Sequence, residues 1–204
     1  MKNKKMNKDA IRIYLLPDAH YGHKNIIKFS NRPFKDVDHM NEELIKAWNR
    51  VVGEDDEVYH LGDVSLCNAE KTKEILYRLN GKIYLIHGNH EKSALDKQYN
   101  RDRFEWVKPK AEIRIDGQDI TLDHYAGRVW NKSHHGAWML YGHSHDSMET
   151  EAWGRSMDVG VDSAARILGE YRPFSLREIK NIMDKRGHNP VDHHVELRIK
   201  KGNT

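Results

Sequence analysis

Five short apolar runs along this 204-residue chain each end in a polar loop that carries aspartate, asparagine or histidine. The runs occupy residues 11–16, 57–61, 82–87, 120–122 and 137–141. Their length and their β-branched and aromatic content predict buried strands. Because open α/β sheets bind ligands beyond the carboxyl ends of their strands, the loops that follow predict one shared functional site.

Helical periodicity separates the first three runs. After Asp38, a candidate N-cap, apolar residues recur at helical spacing between the first two runs, at Met40, Leu44, Ala47, Trp48 and Val51. A second helix is indicated between the next two runs by Ile75, Leu76 and Leu79. This alternation of strand and helix predicts a right-handed parallel α/β arrangement.

The second half of the chain has a different pattern. Predicted strands at 112–116, 120–122, 137–141 and 156–160 follow one another without long helices, which favours antiparallel or mixed pairing. Ser175 and Glu178 have the spacing of a capping box and predict a last helix that ends near Asp184. Residues 193–200 alternate like an edge strand.

Composition limits the class of protein. Hydrophobic residues make up 38% and charged residues 32% of the chain, and no apolar run approaches the ~18 residues of a membrane span. We therefore expect a globular protein with no membrane partner, built as a single domain over residues 1–204 with a core at about 11–182. Cys67 is the single cysteine and no secretory signal is visible, so a cytoplasmic location is expected.

The net charge of +3 is unevenly distributed. Residues 1–8 carry four lysines and no acid, and residues 185–204 carry five bases against two acids. These basic ends, 1–8 and 188–204, are interpreted as solvated tails, with a tether for nucleic acid or phosphate as the alternative.

The polar loops carry a recurring set of residue types. In chain order they read Asp18-Ala-His20, Gly62-Asp63, Gly88-Asn89-His90-Glu91, His124 and Gly142-His143-Ser-His145. Glycine precedes three of the five clusters, as expected where a strand turns sharply and the backbone approaches a ligand. Each cluster alone is a weak signal, but all five in this order, each after a predicted strand, are hard to explain by chance.

This order resembles the motif series of the calcineurin-like metallophosphoesterase superfamily, D-x-H, G-D, G-N-H-D/E, H and G-H-x-H. The chain is most similar to small bacterial and phage members that begin with D-x-H-x-G-H and have Y-H-L-G-D in the second motif. The similarity covers about residues 11–182. It implies an α/β fold built as a two-sheet α/β sandwich with outer helices and a binuclear metal site at the strand ends.

The resemblance also assigns ligands by position. Asp18, His20 and His145 would bind one metal ion, Asn89, His124 and His143 the other, and Asp63 would bridge the two. Oxygen and imidazole ligands without thiolate suit Mn, Fe, Zn or Ni, and we expect two divalent ions, with Mn favoured. A hydroxide held between two ions would attack phosphorus in line, and His90 would protonate the leaving oxygen or stabilise the charge that develops on it.

Departures from the family's motifs narrow the expected activity. Protein phosphatases of the superfamily read G-D-x-x-D-R-G, whereas this chain has Gly62-Asp-Val-Ser-Leu-Cys67, which argues against a dedicated protein phosphatase. With little inserted sequence to form a cap, we expect a metal-dependent phosphoric ester hydrolase that favours a phosphodiester or nucleotide derivative. The alternatives are a broad-specificity phosphomonoesterase, a non-catalytic scaffold and a nucleic-acid-binding module. The sequence leaves the oligomeric state open.

Two residues near the first motif are candidates for substrate binding. His23 could contact substrate or be a plain loop histidine. Arg32 could bind a phosphate oxygen or form a surface salt bridge.

Several other residues favour structural roles. His60 and His87 alternate with apolar residues and predict buried, hydrogen-bonded histidines. Asp123, which precedes His124, is expected to face away from it on a strand. Cys67 is expected to be a small packed residue. Trp130 is expected in the core, with stacking on a base as the alternative.

Overall fold

Two β-sheets packed face to face form the centre of the molecule, described here from a computed structural model that covers residues 11–98, 100–148 and 154–187. The first sheet contains five strands: β1 (Ile13–Leu16), β2 (Glu57–His60), β3 (Lys82–Ile86), β4 (Phe104–Lys108) and β9 (Phe174–Ser175). Their order is β4-β3-β2-β1-β9. Strands β1 to β4 are parallel and β9 is antiparallel to β1, which confirms the parallel arrangement predicted for the first half of the chain.

The second sheet has the order β5-β6-β7-β8. Its strands are β5 (Lys110–Ile115), β6 (Gln118–Asp123), β7 (Trp138–Tyr141) and β8 (Ser156–Asp158). The pair β5 and β6 is antiparallel, while β6, β7 and β8 are parallel, so the prediction of mixed pairing is confirmed.

Five α-helices accompany the sheets in the described part of the chain: α1 (Ile26–Phe29), α2 (Val37–Val51), α3 (Ala69–Leu76), α4 (Val161–Leu168) and α5 (Leu176–Met183). The predicted capping box at Ser175 and Glu178 is present at the start of α5. The cap predicted for α2 is wrong, because the side chain of Asp36, not Asp38, accepts the hydrogen bond from the backbone N–H of His39. Asp36 has the extended backbone of an N-cap, and Asp38 lies in the first helical turn.

Two large apolar clusters explain the layering. Residues from both sheets fill the space between them, among them Leu15, Tyr59, Ile86, Leu122, Trp138 and Leu140. The other face of the first sheet packs against α2 and α3 through a second cluster, which includes Leu16, Val58, Leu85, Leu44, Trp48 and Ile75. The fold is therefore an α/β sandwich of two sheets with outer helices, as the sequence resemblance implies.

Some elements lie outside what the sequence predicts. Strand β4, the two-residue strand β9 and helix α4 are not anticipated by the periodicity of the chain. The predicted edge strand at 193–200 and the basic ends 1–8 and 188–204 fall outside the described residues. Within the described ranges, every helix is too short or too polar to cross a membrane.

Candidate metal centre

The loops that follow β1, β2, β3, β6 and β7 meet at one edge of the sandwich. The register of the first sheet makes three of these strands end together. Leu16 in β1 pairs with His60 in β2, and His60 pairs with Leu85 in β3. Backbone hydrogen bonds tie the loops to one another, from Asp18 N–H to the Gly62 carbonyl at 3.0 Å and from Gly142 N–H to the His124 carbonyl at 3.1 Å. The predicted site residues are thereby brought to one place.

A first cluster of ligand atoms comprises Asp18, His20 and His145, whose candidate ligand atoms lie within 4.8 Å of one another. Asp18 and His20 are buried, yet within the described part of the chain Oδ1 of Asp18 and both ring nitrogens of His20 have no hydrogen-bond partner. Buried polar groups are nearly always paired, so these orphaned atoms fit a bound cation. Their oxygen and nitrogen donors match the ligands that divalent transition metals take in proteins.

A second cluster comprises Asp63, His124 and His143, again with ligand atoms within 4.8 Å. Asn89 adjoins it, since its Oδ1 lies 3.0 Å from Nε2 of His124. His124 is buried whereas His143 and Asn89 are exposed, so this cluster opens to solvent. All seven predicted ligand residues therefore belong to two adjoining groups.

The carboxylate of Asp63 lies between the two clusters. Its Oδ2 is 3.4 Å from Nε2 of His20, and its Oδ1 is 3.6 Å from Nε2 of His124. The backbone N–H of Asp63 donates to Oε1 of the buried Glu91, and its Oδ1 accepts the backbone N–H of His90 at 2.9 Å. These contacts hold one carboxylate with an oxygen facing each cluster.

Hydrogen bonds on the far side of two histidines fix which nitrogen faces the clusters. Nδ1 of His124 lies 2.8 Å from the carbonyl oxygen of Leu61, which can only accept, so Nδ1 carries the proton and Nε2 keeps its lone pair. Nδ1 of His145 lies 2.7 Å from Oδ2 of Asp162. A carboxylate behind a histidine is the usual support of a metal ligand, because it sets the tautomer and orients the ring.

Arg32 has a different position from the one predicted. Its side chain is fully buried and pairs with Asp162 through two hydrogen bonds of 2.9 Å. Its remaining N–H groups contact the carbonyl oxygens of Asp18 and Ala19 and the sulfur of Met40. Because every guanidinium donor is used inside the protein, Arg32 is neither a phosphate ligand nor part of a surface salt bridge; it supports the backbone of Asp18 and the carboxylate behind His145.

Burial and neighbouring charge set the protonation of the first cluster. The pKa of Asp18 is raised well above its ordinary value, first by burial and then by the carboxylates of Asp158 and Asp63. Burial, with His145 and Arg32 nearby, lowers the pKa of His20 to about 2, so His20 is neutral near pH 7. A neutral imidazole is the form that binds a metal, and a cation there would favour the ionised carboxylate that burial opposes.

The backbone at the site is strained. Five of the seven predicted ligand residues have left-handed backbone angles: Asp18 (φ 61°), His20 (53°), Asp63 (57°), His143 (65°) and His145 (46°). Such conformations are uncommon for residues other than glycine and cost about 1–3 kcal/mol each. They concentrate in the loops that follow β1, β2 and β7.

The glycines of two motifs have the role predicted for them. Gly62 has φ +101° and an added Cβ would lie 2.6 Å from Nδ1 of His124. A Cβ on Gly88 would lie 2.4 Å from Oδ1 of Asp63. Larger residues would therefore push the loops off the ligand side chains.

His90 and His23 flank the first cluster. Their ring centroids lie 5.9 Å and 5.4 Å from that of His20. His90 is exposed beside the clusters, and burial lowers the pKa of the half-buried His23. Their catalytic and substrate-binding roles stay predictions.

The remaining histidine and tryptophan predictions have mixed outcomes. His60 is buried and its Nδ1 accepts the backbone N–H of Gly62 at 3.3 Å, as predicted. The burial predicted for His87 is wrong, because β3 ends at Ile86 and the His87 side chain is exposed. Trp130 is buried and its Nε1 donates to the carbonyl of Ala137, which confirms its core position and removes it from base stacking.

The predictions for Asp123 and Cys67 agree with the contacts of these residues. Asp123 accepts the backbone N–H of Tyr125 and lies 3.5 Å from Nζ of Lys110, contacts that involve no ligand side chain. Cys67 is half-buried and packs against the cluster beneath α2 and α3.

Sequence reasoning misses three buried carboxylates at the site. Glu91 holds the backbone of Asp63, and burial followed by the charge of Asp63 raises its pKa to about 7. Oδ2 of Asp158 accepts the hydroxyl of Ser144 and the backbone N–H of Asp146, which shapes the loop of His143 and His145. Asp158 lies in the predicted strand at 156–160 and Asp162 follows it, so their position at the end of a strand is the signal that could have found them. Glu91 belongs to the third motif.

We expect Asp162→Asn to weaken metal binding at the first cluster by about 10- to 100-fold, because it removes the charge that orients His145 and balances Arg32. Titration calorimetry with Mn²⁺ measures this directly. Asp123→Asn is the matched control, since that carboxylate contacts no ligand side chain. Thermal unfolding verifies that both proteins are folded. Equal Mn²⁺ affinity in the wild type and Asp162→Asn would then show that the ion pair of Asp162 and Arg32 does not influence metal binding.

The fold and the site together define a class of protein: an α/β sandwich with adjoining histidine and carboxylate clusters at its strand ends, which suits the binding of metal ions. Residues 15–159 match the sequence profile of the calcineurin-like phosphoesterase superfamily domain, and the chain belongs to this superfamily. It is a metallophosphoesterase, a hydrolase that acts on phosphoric ester bonds.

The chain is similar to proteins from an archaeon, a phage and a bacterium. An uncharacterized protein of Methanocaldococcus jannaschii is 34% identical over 177 residues, covering 85% of this chain and 92% of the relative. The Gene 66 protein of Mycobacterium phage L5 is 29% identical, covering 83% of this chain and 95% of the relative. The crystal structure of a protein of unknown function from Aquifex aeolicus has a TM-score of 0.64 at 22% identity, and covers 85% of this chain and all of its own. That structural similarity shows the fold.

Proposed function

We propose that this chain hydrolyses a phosphodiester or nucleotide derivative with two divalent metal ions, one at each cluster. The observation that carries the proposal is the placement of Asp63, whose two oxygens lie 3.4 Å and 3.6 Å from histidine nitrogens of different clusters. A single carboxylate shared in this way is the arrangement expected of a bridging ligand in a two-metal site.

The residues assigned to each ion are those of the two clusters. Asp18, His20 and His145 would hold the first ion, and His124, His143 and Asn89 the second. The donors include no thiolate, and we propose Mn for both positions, with Fe, Zn and Ni as alternatives. When bound, the pair of ions would polarise the phosphoryl oxygens and lower the pKa of water toward ~7.

His90 is proposed as the general acid. Hydrolysis forms a bond from a water oxygen to phosphorus and breaks the bond from phosphorus to the alcohol, whose oxygen then takes a proton. The ring of His90 stands exposed at the edge of the clusters, while its backbone N–H is anchored on Oδ1 of Asp63. This anchor supports the proposed role of His90 as the proton donor to the leaving oxygen.

The exposure of the second cluster supports an extended substrate. His143, Asn89 and His90 are all exposed, so a phosphate that carries a group on each side can reach the clusters. The convergence of all seven ligand candidates favours an enzyme over a scaffold of the same fold.

We expect chelation to abolish hydrolysis and Mn²⁺ to restore it, because Oδ1 of Asp18 and the ring nitrogens of His20 have no hydrogen-bond partner among the described residues. The test is to assay the Mn-loaded protein on a phosphomonoester, a phosphodiester and a cyclic nucleotide, before and after exhaustive chelation with metal analysis. Turnover that persists without metal would overturn the mechanism. Hydrolysis of monoesters alone would overturn the proposed substrate class in favour of a broad phosphomonoesterase.

A further inference from the structure

A cavity of about 410 Å³ opens beside the candidate metal centre. Asn89 and His90 form its end next to the clusters. One wall is the chain from residue 65 to 69, which leads into α3, and the opposite wall is formed by Lys92, Ser93 and Asp96. Ligand pockets commonly range over about 300–1,000 Å³, so this space suits a small molecule or one unit of a larger one.

Buried hydrogen bonds hold the two walls together. The amide nitrogen of Asn100, a fully buried residue, donates to the carbonyl of Ala69 at 3.3 Å and to that of Ser93 at 2.7 Å. The hydroxyl of Ser93 donates to the carbonyl of Ser65 at 3.1 Å. None of these contacts involves a candidate metal ligand, so the two walls are held together independently of the candidate metal centre.

The lining combines an apolar surface with hydrogen-bonding groups. Leu66 exposes 38% of its surface and provides the apolar part of the lining. Asn68 caps α3 with its amide oxygen, which leaves the amide nitrogen available as a donor. Lys92 is exposed and forms no ion pair with any residue within 11–98, 100–148 and 154–187. An apolar patch, an amide group, a cation and the carboxylate of Asp96 suit a nucleoside, which combines the flat face of a base with the hydroxyls of a ribose.

We infer that this cavity binds the leaving group of the substrate and that the leaving group is a nucleoside. The inference rests on the proposed function, because it uses His90 as the proton donor. A nucleoside seated between the walls would present its ester oxygen at the end formed by Asn89 and His90. The cavity then determines which alcohol is released, while the metal ligands act on the phosphoryl group.

Binding of adenosine to the metal-free protein tests the cavity without any reaction, by ligand-observed NMR or calorimetry. Two variants fill the space from opposite walls, Leu66→Trp and Lys92→Trp. Val107→Trp is the matched control, since Val107 is 41% exposed and lies outside this cavity. We expect each filling variant to weaken adenosine binding at least tenfold and the control to change it less than twofold, with thermal unfolding used to verify that all three fold.

Kinetics of the Mn-loaded protein then connect the cavity to the reaction. Adenosine should inhibit hydrolysis of bis(4-nitrophenyl) phosphate competitively, glycerol should not, and the filling variants should raise the inhibition constant of adenosine at least tenfold. Hydrolysis that proceeds without adenosine binding, or adenosine binding that no filling variant weakens, would overturn this inference alone. Absence of hydrolysis of any phosphoric ester by the loaded wild type would overturn the proposed function, on which the leaving-group role depends.

Discussion

Asp63→Asn is expected to lower turnover by about 10³-fold or more and to reduce the bound metal. The substitution keeps the shape of the side chain but removes the negative charge that faces both clusters, at 3.4 Å from His20 and 3.6 Å from His124. Metal ions contribute several kcal/mol of transition-state stabilisation, and each 1.36 kcal/mol lost is a factor of about ten in rate. A residue shared by two ions should therefore be more damaging to lose than a ligand of either ion alone.

Metal content measured beside the rate distinguishes this explanation from a loss of fold. Asp123→Asn is again the matched control, because Asp123 directly precedes His124 in the chain. Its carboxylate contacts Lys110 and a backbone N–H, but no candidate ligand side chain among the described residues. Asp18→Asn should lose metal chiefly from the first cluster. An Asp63→Asn protein that keeps two ions and full turnover would contradict the bridging role.

His90→Asn is expected to retain both ions and to lose about 10²- to 10⁴-fold in rate on substrates with poor leaving groups. An alkoxide needs a proton as its bond to phosphorus breaks, whereas a nitrophenolate leaves as a stable anion. The loss should therefore be large for alkyl or nucleoside esters and much smaller for a nitrophenyl ester. This selectivity is the signature of a general acid.

The measurement is the rate over a series of esters with graded leaving-group pKa, together with metal analysis. His135→Asn serves as a control, since His135 is an exposed histidine in the loop before β7. An equal loss on every ester with both ions bound would count against the acid role. Loss of metal would instead mean that His90 acts through the loop of Asn89 and Asp63.

The sequence predicts strands most accurately where a functional motif directly follows the strand. The strands at 57–61 and 82–87 are predicted nearly to the residue, since apolar alternation and the glycine that follows mark both their course and their end. The pairing of two sheets comes from family resemblance, because no local pattern states which strands stack across a core. Strand β9 has two residues, too few for any periodicity to register.

At this site, sequence reasoning does not find the supporting contacts between residues that lie far apart in the chain. Arg32 and Asp162 are 130 positions apart, and only the folded chain shows that they pair behind His145. From its neighbours alone, Arg32 is equally consistent with a phosphate ligand or a surface ion pair. The same applies to Glu91, whose contact with the backbone of Asp63 depends on two loops that leave adjacent strands.

The left-handed backbone at five candidate ligand positions has a consequence for protein engineering. At about 1–3 kcal/mol each, these conformations together are comparable with the ~5–15 kcal/mol net stability of a whole domain. Copying the seven side chains onto another scaffold would transfer the chemistry without the chain geometry that aims it, and a relaxed loop would point Asp18 or His145 elsewhere. Transfer of this candidate centre to another protein must therefore include the strand ends and the loops that follow them. The smallest part that can be transferred is this whole edge of the sandwich.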